Sequence, residues 1–247
     1  MKILGIDSSG LVASVAIVED DILVGEYTTN YKKTHSQTLL PMLDELKKMI
    51  DLDLNSVDAI AIAAGPGSFT GLRIGAATAK GLGLALNKPL VEVPTLEEMA
   101  FNLWGTDALI VPMMDARRNQ VYTGAYEFVN EAAGDGSVNK CLHCVVEQCA
   151  TDVTEWIRKI NEIGREVIFL GDGVPVYAKQ IAEGMTGKYS FAPAGFNYQR
   201  AASVAALGEV YFAQGRGIDA ALHQPEYLRK SQAEREKDEK QTAQVKV

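Results

Sequence analysis

The sequence is short of the residues that most often carry chemistry. It holds three histidines and three cysteines in 247 residues. His35, His143 and His223 are too scattered to form the i, i+4 pair that clasps a metal from one helix face. There is no His-Glu-x-x-His, no Gly-x-Ser-x-Gly, and no cysteine beside an obvious base, so peptidase and serine-hydrolase signatures are missing. An odd, small cysteine count gives no disulfide framework. No apolar run approaches the ~20 residues that span a bilayer. The opening stretch Met1–Asp7 is too short for a signal peptide and is broken by Asp7, so a cytoplasmic protein with no membrane attachment is expected. Basic surplus is lacking too: 24 Lys and Arg stand against 32 Asp and Glu, a net charge of −8. Nucleic-acid affinity rests largely on cations that neutralise phosphates, so any nucleic acid would be reached only indirectly, through a partner.

The cysteines cluster as Cys141, Cys144 and Cys149 around His143. Cys-x-x-Cys can seed a metal or redox site. The run Cys141–Val146 reads as a strand, however, which turns Cys141 and Cys144 to opposite faces. No second ligand pair occurs elsewhere, which favours buried or idle thiols over a metal site.

What is present is a repeated pattern. Three short strands are expected over 2–9, 12–18 and 22–28, the first ending in Asp7-Ser8-Ser9-Gly10. An amphipathic helix follows over 35–50, with Leu39, Leu43, Leu46 and Ile50 at helical spacing. A continuous apolar strand over 58–64 runs into Gly65-Pro66-Gly67-Ser68. A helix follows to about Leu86, with Ser68 as N-cap, then a strand at 90–93 and a further helix. The order then restarts: strands at 108–114, 120–128 and 138–149, and a helix at 151–163 opened by Asp152 and Glu155 as a capping box. A strand at 167–170 leads to Gly171-Asp172-Gly173 and a helix starting at Pro175, and a last helix covers 197–214. Duplicated β-β-β-α-β-α lobes are the layout of the actin, hexokinase and Hsp70 (ASKHA) superfamily, an α/β fold of two related lobes with mixed sheets. The expected division is 1–103, 104–229 and a charged tail at 230–247.

In that fold, Asp7 and Asp115 would sit in the turns of the two first hairpins, where the superfamily handles phosphate. Ser8, Ser9, Gly171 and Gly173 would be the remaining traces of a nucleotide site. Asp and Ser are also plain turn formers. Both readings stand at this point.

The stretch Gly65-Pro66-Gly67-Ser68-Phe69-Thr70-Gly71-Leu72-Arg73 is more specific. Together with Gly5-Ile6-Asp7-Ser8, His35-Ser36, Asp115-Ala116-Arg117-Arg118 and Pro225-Glu226-Tyr227-Leu228-Arg229, it resembles the TsaB family over nearly the whole chain. The resemblance implies an accessory role in making N6-threonylcarbamoyladenosine on tRNA. The partners it implies are TsaD as a heterodimer, the ATPase TsaE, and a second copy of the chain through the same helices. It implies no cofactor; ATP or ADP in the cleft is the open alternative. TsaD, the catalytic relative, carries His-Leu-Glu-x-His for its metal. The matching segment here is Thr95-Leu96-Glu97-Glu98-Met99, with Thr95 and Met99 in the histidine positions. A hydroxyl and a thioether are poor ligands for a hard divalent ion, so no metal centre and no catalysis are expected.

The helices supply the expected docking surface. Gly71, Gly75, Ala79 and Gly83 recur every four residues as a seam of small side chains, and each interior glycine costs about 1 kcal/mol against alanine. Close approach of another backbone would offset that cost. The apolar arc Leu39, Leu40, Met42, Leu43, Leu46, Met49 and Ile50, with Leu72 on the second helix, looks broader than one sheet contact requires. Two such helices could meet two from a partner, or the seam could pack on the chain's own sheet. The rival from another class is an ATP-dependent phosphotransferase of the same superfold, built on Asp7, Asp115 and Gly171–Gly173. A metallopeptidase would require bound metal.

Overall fold

The computed structural model describes residues 1–31, 34–132 and 138–229, and the charged tail expected at 230–247 lies outside the described residues. The first half runs β1 (Lys2–Asp7), β2 (Ala13–Glu19), β3 (Ile22–Thr29), α1 (His35–Met49), β4 (Ala59–Gly65), α2 (Phe69–Leu86), β5 (Leu90–Pro94) and α3 (Thr95–Phe101). The second runs β6 (Leu109–Arg117), β7 (Gln120–Ala132), β8 (Val138–Asp152), α4 (Val153–Ile163), β9 (Val167–Leu170), α5 (Gly173–Gly184), β10 (Tyr189–Phe191), α6 (Ala201–Ala213) and β11 (Gly217–Ile218).

Two mixed sheets repeat one topology. The first has the order β3-β2-β1-β4-β5-β11 and the second β8-β7-β6-β9-β10. In each, the opening hairpins pair antiparallel, while the first strand pairs parallel with the strand after the helix. This is the duplicated ASKHA arrangement. β4 is buried along its whole length, as a parallel strand covered on both faces must be. β10 and β11 are too short to carry a period-2 signal, and they are the two strands that the residue pattern does not predict.

The division at 103/104 needs a correction at its far end. α6 lies across β1, β2 and β4, and β11 pairs with β5, so residues 201–218 complete the first sheet. Val204, Ala205 and Leu207 of α6 pack with Ile3, Ala61 and Val93 of that sheet. α6 also begins at Ala201, four residues later than expected. The intervening segment is held otherwise: Asn197 Oδ1 accepts from Gly171 N at 2.9 Å and Tyr198 O from Asn102 Nδ2 at 2.8 Å.

The second core gathers Trp156, Ile157 and Ile160 of α4 against β6, β7 and β9. α4 starts where the sequence signal places it. Asp152 Oδ1 accepts from Thr154 N at 2.8 Å, and Asp152 Oδ2 from Asn119 Nδ2 at 2.7 Å. Asp152→Ala is therefore expected to cost about 1–2 kcal/mol, the value of a lost N-cap. Thermal unfolding with a midpoint equal to the parent's would contradict this.

Candidate functional site

The Gly-rich loop after β4 meets the first hairpin turn of the same chain. Ser68 N donates to Ser9 O at 2.6 Å, and Ser8 Oγ donates to Gly71 O at 2.9 Å. A Cβ on Gly71 would lie 2.1 Å from Ser8 O, and one on Gly75 would lie 2.5 Å from Ser8 Oγ. Ser68 caps α2 as expected, with Gly71 N donating to its hydroxyl at 3.3 Å. The glycines of this motif make room for the Ser8-Ser9 backbone, and those two serines are buried beneath them.

The expected interface residues therefore need correcting. The seam of Gly71, Gly75, Ala79 and Gly83 faces inward, with Gly83 closed over by Ala220: a Cβ on Gly83 would lie 2.7 Å from the Ala220 Cβ. Leu72 is buried with it, and Leu39, Met42, Leu43 and Leu46 form a cluster with Leu4, Ile6, Val15 and Ile17. Their arc is broad because α1 covers β2 and β3 on one side and packs along α2 on the other. Of the expected arc, Met49 and Leu40 are open, Met49 at 75% exposure.

A different stripe is left outside. Positions 73, 77, 81 and 85 of α2 are offset by two residues from the buried seam, which turns them about 200° around the helix. Arg73, Ala77, Gly81 and Ala85 are all exposed, and nothing lies within 4 Å of a Cβ built on Gly81. Leu84 beside them is 62% exposed and Leu40 on α1 is 53% exposed. The outer faces of α1 and α2 thus combine small residues with open leucine and methionine side chains.

The residues expected to handle a nucleotide are tied into the fold. Asp7 is fully buried, and its Oδ1 accepts from Ser9 N at 2.7 Å and from Ser9 Oγ at 2.8 Å. Asp115 Oδ1 accepts from Tyr177 OH and from Arg117 N, both at 2.9 Å, and its Oδ2 pairs with Arg117 at 3.1 Å. Burial pushes the Tyr177 phenol up to about 12 with Asp115's help. Asp172 lies against Asp115. It accepts from Asp115 N at 3.3 Å, and burial pushes its carboxyl up to about 6, with Asp115's charge adding to the shift. Gly171 has φ +109°, and a Cβ there would meet Met113 O at 2.2 Å. Gly173 too lies against Met113, so both glycines serve the packing of α5 on β6.

α3 carries the segment that matches the catalytic relative's metal motif. Thr95 and Met99 are fully buried, and Leu96, Met99 and Ala100 pack with Ile110, Met114 and Tyr126 of the second sheet. A hydroxyl at 95 and a thioether at 99 stand where two imidazoles would be needed, so these two residues do not fit a hard divalent ion. The cysteines lie along β8: Cys144 packs against the Met99 cluster and Cys149 onto the second core. Burial pushes the Cys144 thiol up to about 11, which keeps it protonated at neutral pH.

The family-like ending, Pro225–Arg229, ties the halves together. Glu226 N donates to Ala64 O at 2.7 Å, and Tyr227 stacks on Phe69 at 4.7 Å. Arg229 Nη1 donates to Ala116 O at 2.8 Å, and Gln148 Nε2 to Glu226 Oε2 at 2.9 Å. A strap running from the Gly-rich loop to the second hairpin turn is the result. Residue spacing does not reveal it, because its partners lie more than 70 residues away.

Comparison with known proteins agrees with this geometry. A family model described as "TsaD: tRNA N6-adenosine threonylcarbamoyltransferase" matches residues 23–237. The tRNA threonylcarbamoyladenosine biosynthesis protein TsaB of Bacillus subtilis is 33% identical, covering 95% of this chain and 96% of its own length. The TsaB of Haemophilus influenzae is 30% identical over 93% of this chain and 94% of its own. The solved structure of YeaZ from Pseudomonas aeruginosa superposes with a TM-score of 0.73 at 25% identity, covering 92% of this chain and all of that one.

Proposed function

Because the chain belongs to the TsaB family, we propose that it is a non-catalytic subunit in the synthesis of N6-threonylcarbamoyladenosine on tRNA. In this reading it binds TsaD, supports recruitment of the ATPase TsaE, and leaves transfer of the threonylcarbamoyl group to TsaD. The observation that carries the reading is the α3 segment, where Thr95 and Met99 are fully buried in the positions of the two metal-binding histidines. Chain-wide similarity to TsaB proteins supports the pathway. The net charge of −8 supports indirect contact with tRNA, since a surface with an acidic balance gains little from phosphate neutralisation.

Docking would use the outer faces of α1 and α2. Ala77 and Gly81 let a partner helix come close, while Leu40, Met49 and Leu84 offer apolar area. Two helices presented this way suit two from TsaD as a four-helix arrangement. The same face suits a second copy of the chain, so homodimer and heterodimer would compete. Among the described residues no helix is long and apolar enough to cross a membrane, which is compatible with action in the cytoplasm.

The test is reconstitution. Formation of the modified nucleoside should require TsaD and rise when this chain is added. This chain without TsaD should give none. Transfer by this chain alone would overturn its non-catalytic role.

A further inference from the structure

Asp7 and Glu98 are a buried carboxyl pair that the proposed function does not use. Both are fully buried, Asp7 at the end of β1 and Glu98 on α3. Asp7 spends Oδ1 on Ser9, and Glu98 Oε2 takes a long bond of 3.4 Å from Arg200 N. The remaining oxygens, Asp7 Oδ2 and Glu98 Oε1, have no N–H or O–H donor, and the two carboxyl groups face each other. Two buried acceptors that face each other are both satisfied by one proton held between them.

The surrounding charges do not replace that proton. From β3, Glu26 adds a further negative charge near Glu98. The Arg200 guanidinium, at the start of α6, is committed to Glu26, with Nη2 and Oε2 2.5 Å apart. From α1, His35 attracts Asp7 only at a distance while its Nε2 lies 3.0 Å from Gly10 O. Desolvation first, and Asp7's charge second, hold the Glu98 carboxyl well above the usual carboxylate range.

The pair also sits where the two halves join. α3 touches both sheets and α6. Residues 199–201 bring the chain back to the first sheet, and Ala201 N donates to Ser14 Oγ at 2.9 Å. Gln199, 1% exposed, leaves both amide atoms without partners beside Gly10. The polar side of this joint is therefore the least satisfied part of the described core.

We propose that Asp7 and Glu98 share one proton at neutral pH, and that losing it loosens the joint between α3, β1 and the segment leading into α6. The sign follows from the burial. A carboxyl raised in the folded state holds its proton after the unfolded chain has released it near pH ~4.3. Stability from this pair is complete below that value and declines as pH rises toward the folded value.

Thermal unfolding and amide hydrogen exchange of the full chain between pH 6 and 9 test this, with Glu98→Gln as the comparison. Glutamine supplies a permanent N–H donor where the shared proton was. The parent midpoint should fall by roughly 3–6 °C more than that of E98Q across the range. Exchange in α3 and at residues 199–203 should accelerate in the parent beyond the intrinsic pH effect, and not in E98Q. Should E98Q fold poorly, Asp7→Asn provides the same comparison from the other side. Equal pH slopes in parent and variant would overturn the proposal. So would a midpoint at pH 8 that Mg²⁺ or Ca²⁺ raises in the parent alone, since a cation would then be the group between the carboxylates.

Discussion

Replacing Gly71 with valine is expected to destabilise the chain by roughly 3 kcal/mol or more, lowering its unfolding midpoint by about 6–12 °C. The Cβ would meet Ser8 O at 2.1 Å, and that oxygen belongs to backbone held on both sides. Ser9 O accepts from Ser68 N at 2.6 Å, and Ser8 Oγ donates to Gly71 O at 2.9 Å. Relief requires the Ser8-Ser9 turn to withdraw from α2, which breaks both bonds and uncovers the end of β1. Removing a helix glycine returns only about 1 kcal/mol. Any loss of partner binding by this variant would be a consequence of unfolding. A midpoint within a degree of the parent's would mean that the turn does not sit under α2 as described.

The second large effect is expected about three turns further along α2, with the opposite division between stability and binding. Gly81→Arg places a long side chain where no atom lies within 4 Å, so nothing in the fold resists it. Stability should hold or rise by up to about 1 kcal/mol, because an interior helix glycine is removed. Binding to TsaD should weaken by at least ~30-fold, the loss of about 2 kcal/mol that marks a central interface position. Titration calorimetry with TsaD reads this directly. Unchanged affinity would remove the outer face of α2 from the interface. A lost midpoint would mean that Gly81 is packed inside.

These two glycines show what the sequence can and cannot settle. The spacing of four along α2 is plain in the residues, and so is the inference that small side chains permit close approach. The helix carries two such stripes, 71/75/79/83 and 77/81/85, on nearly opposite faces. Only the sheet beneath decides which is inner. The inner stripe rests on Ser8 and Ile62, contacts made across more than ten residues of chain. The breadth of α1 misleads for the same reason. Leu39, Met42, Leu43 and Leu46 serve one core that includes α2, and spacing alone cannot separate a neighbouring helix from a partner's.

Other elements were legible because local signals agree. β4 is an unbroken apolar run, and α4 pairs a cap at Asp152 with a stripe through Trp156 and Ile160. The absence of the metal-binding histidines is equally readable, since it needs only the residues at 95 and 99. Glu98 was not. A glutamate in the first turn of a helix reads as a solvent residue favoured by the helix dipole, and only the packing of α3 between the two sheets and α6 turns it into a buried neighbour of Asp7. The return of α6 and β11 to the first sheet has no local signal, because it depends on contacts with β1, β4 and β5 more than 100 residues earlier in the chain.

The claim that this chain works by docking is tested most directly by light scattering on size-exclusion fractions of the chain alone and of the chain mixed with its cognate TsaD. The account predicts a homodimer that gives way to a one-to-one heterodimer. A chain that stays monomeric and elutes apart from TsaD would contradict it.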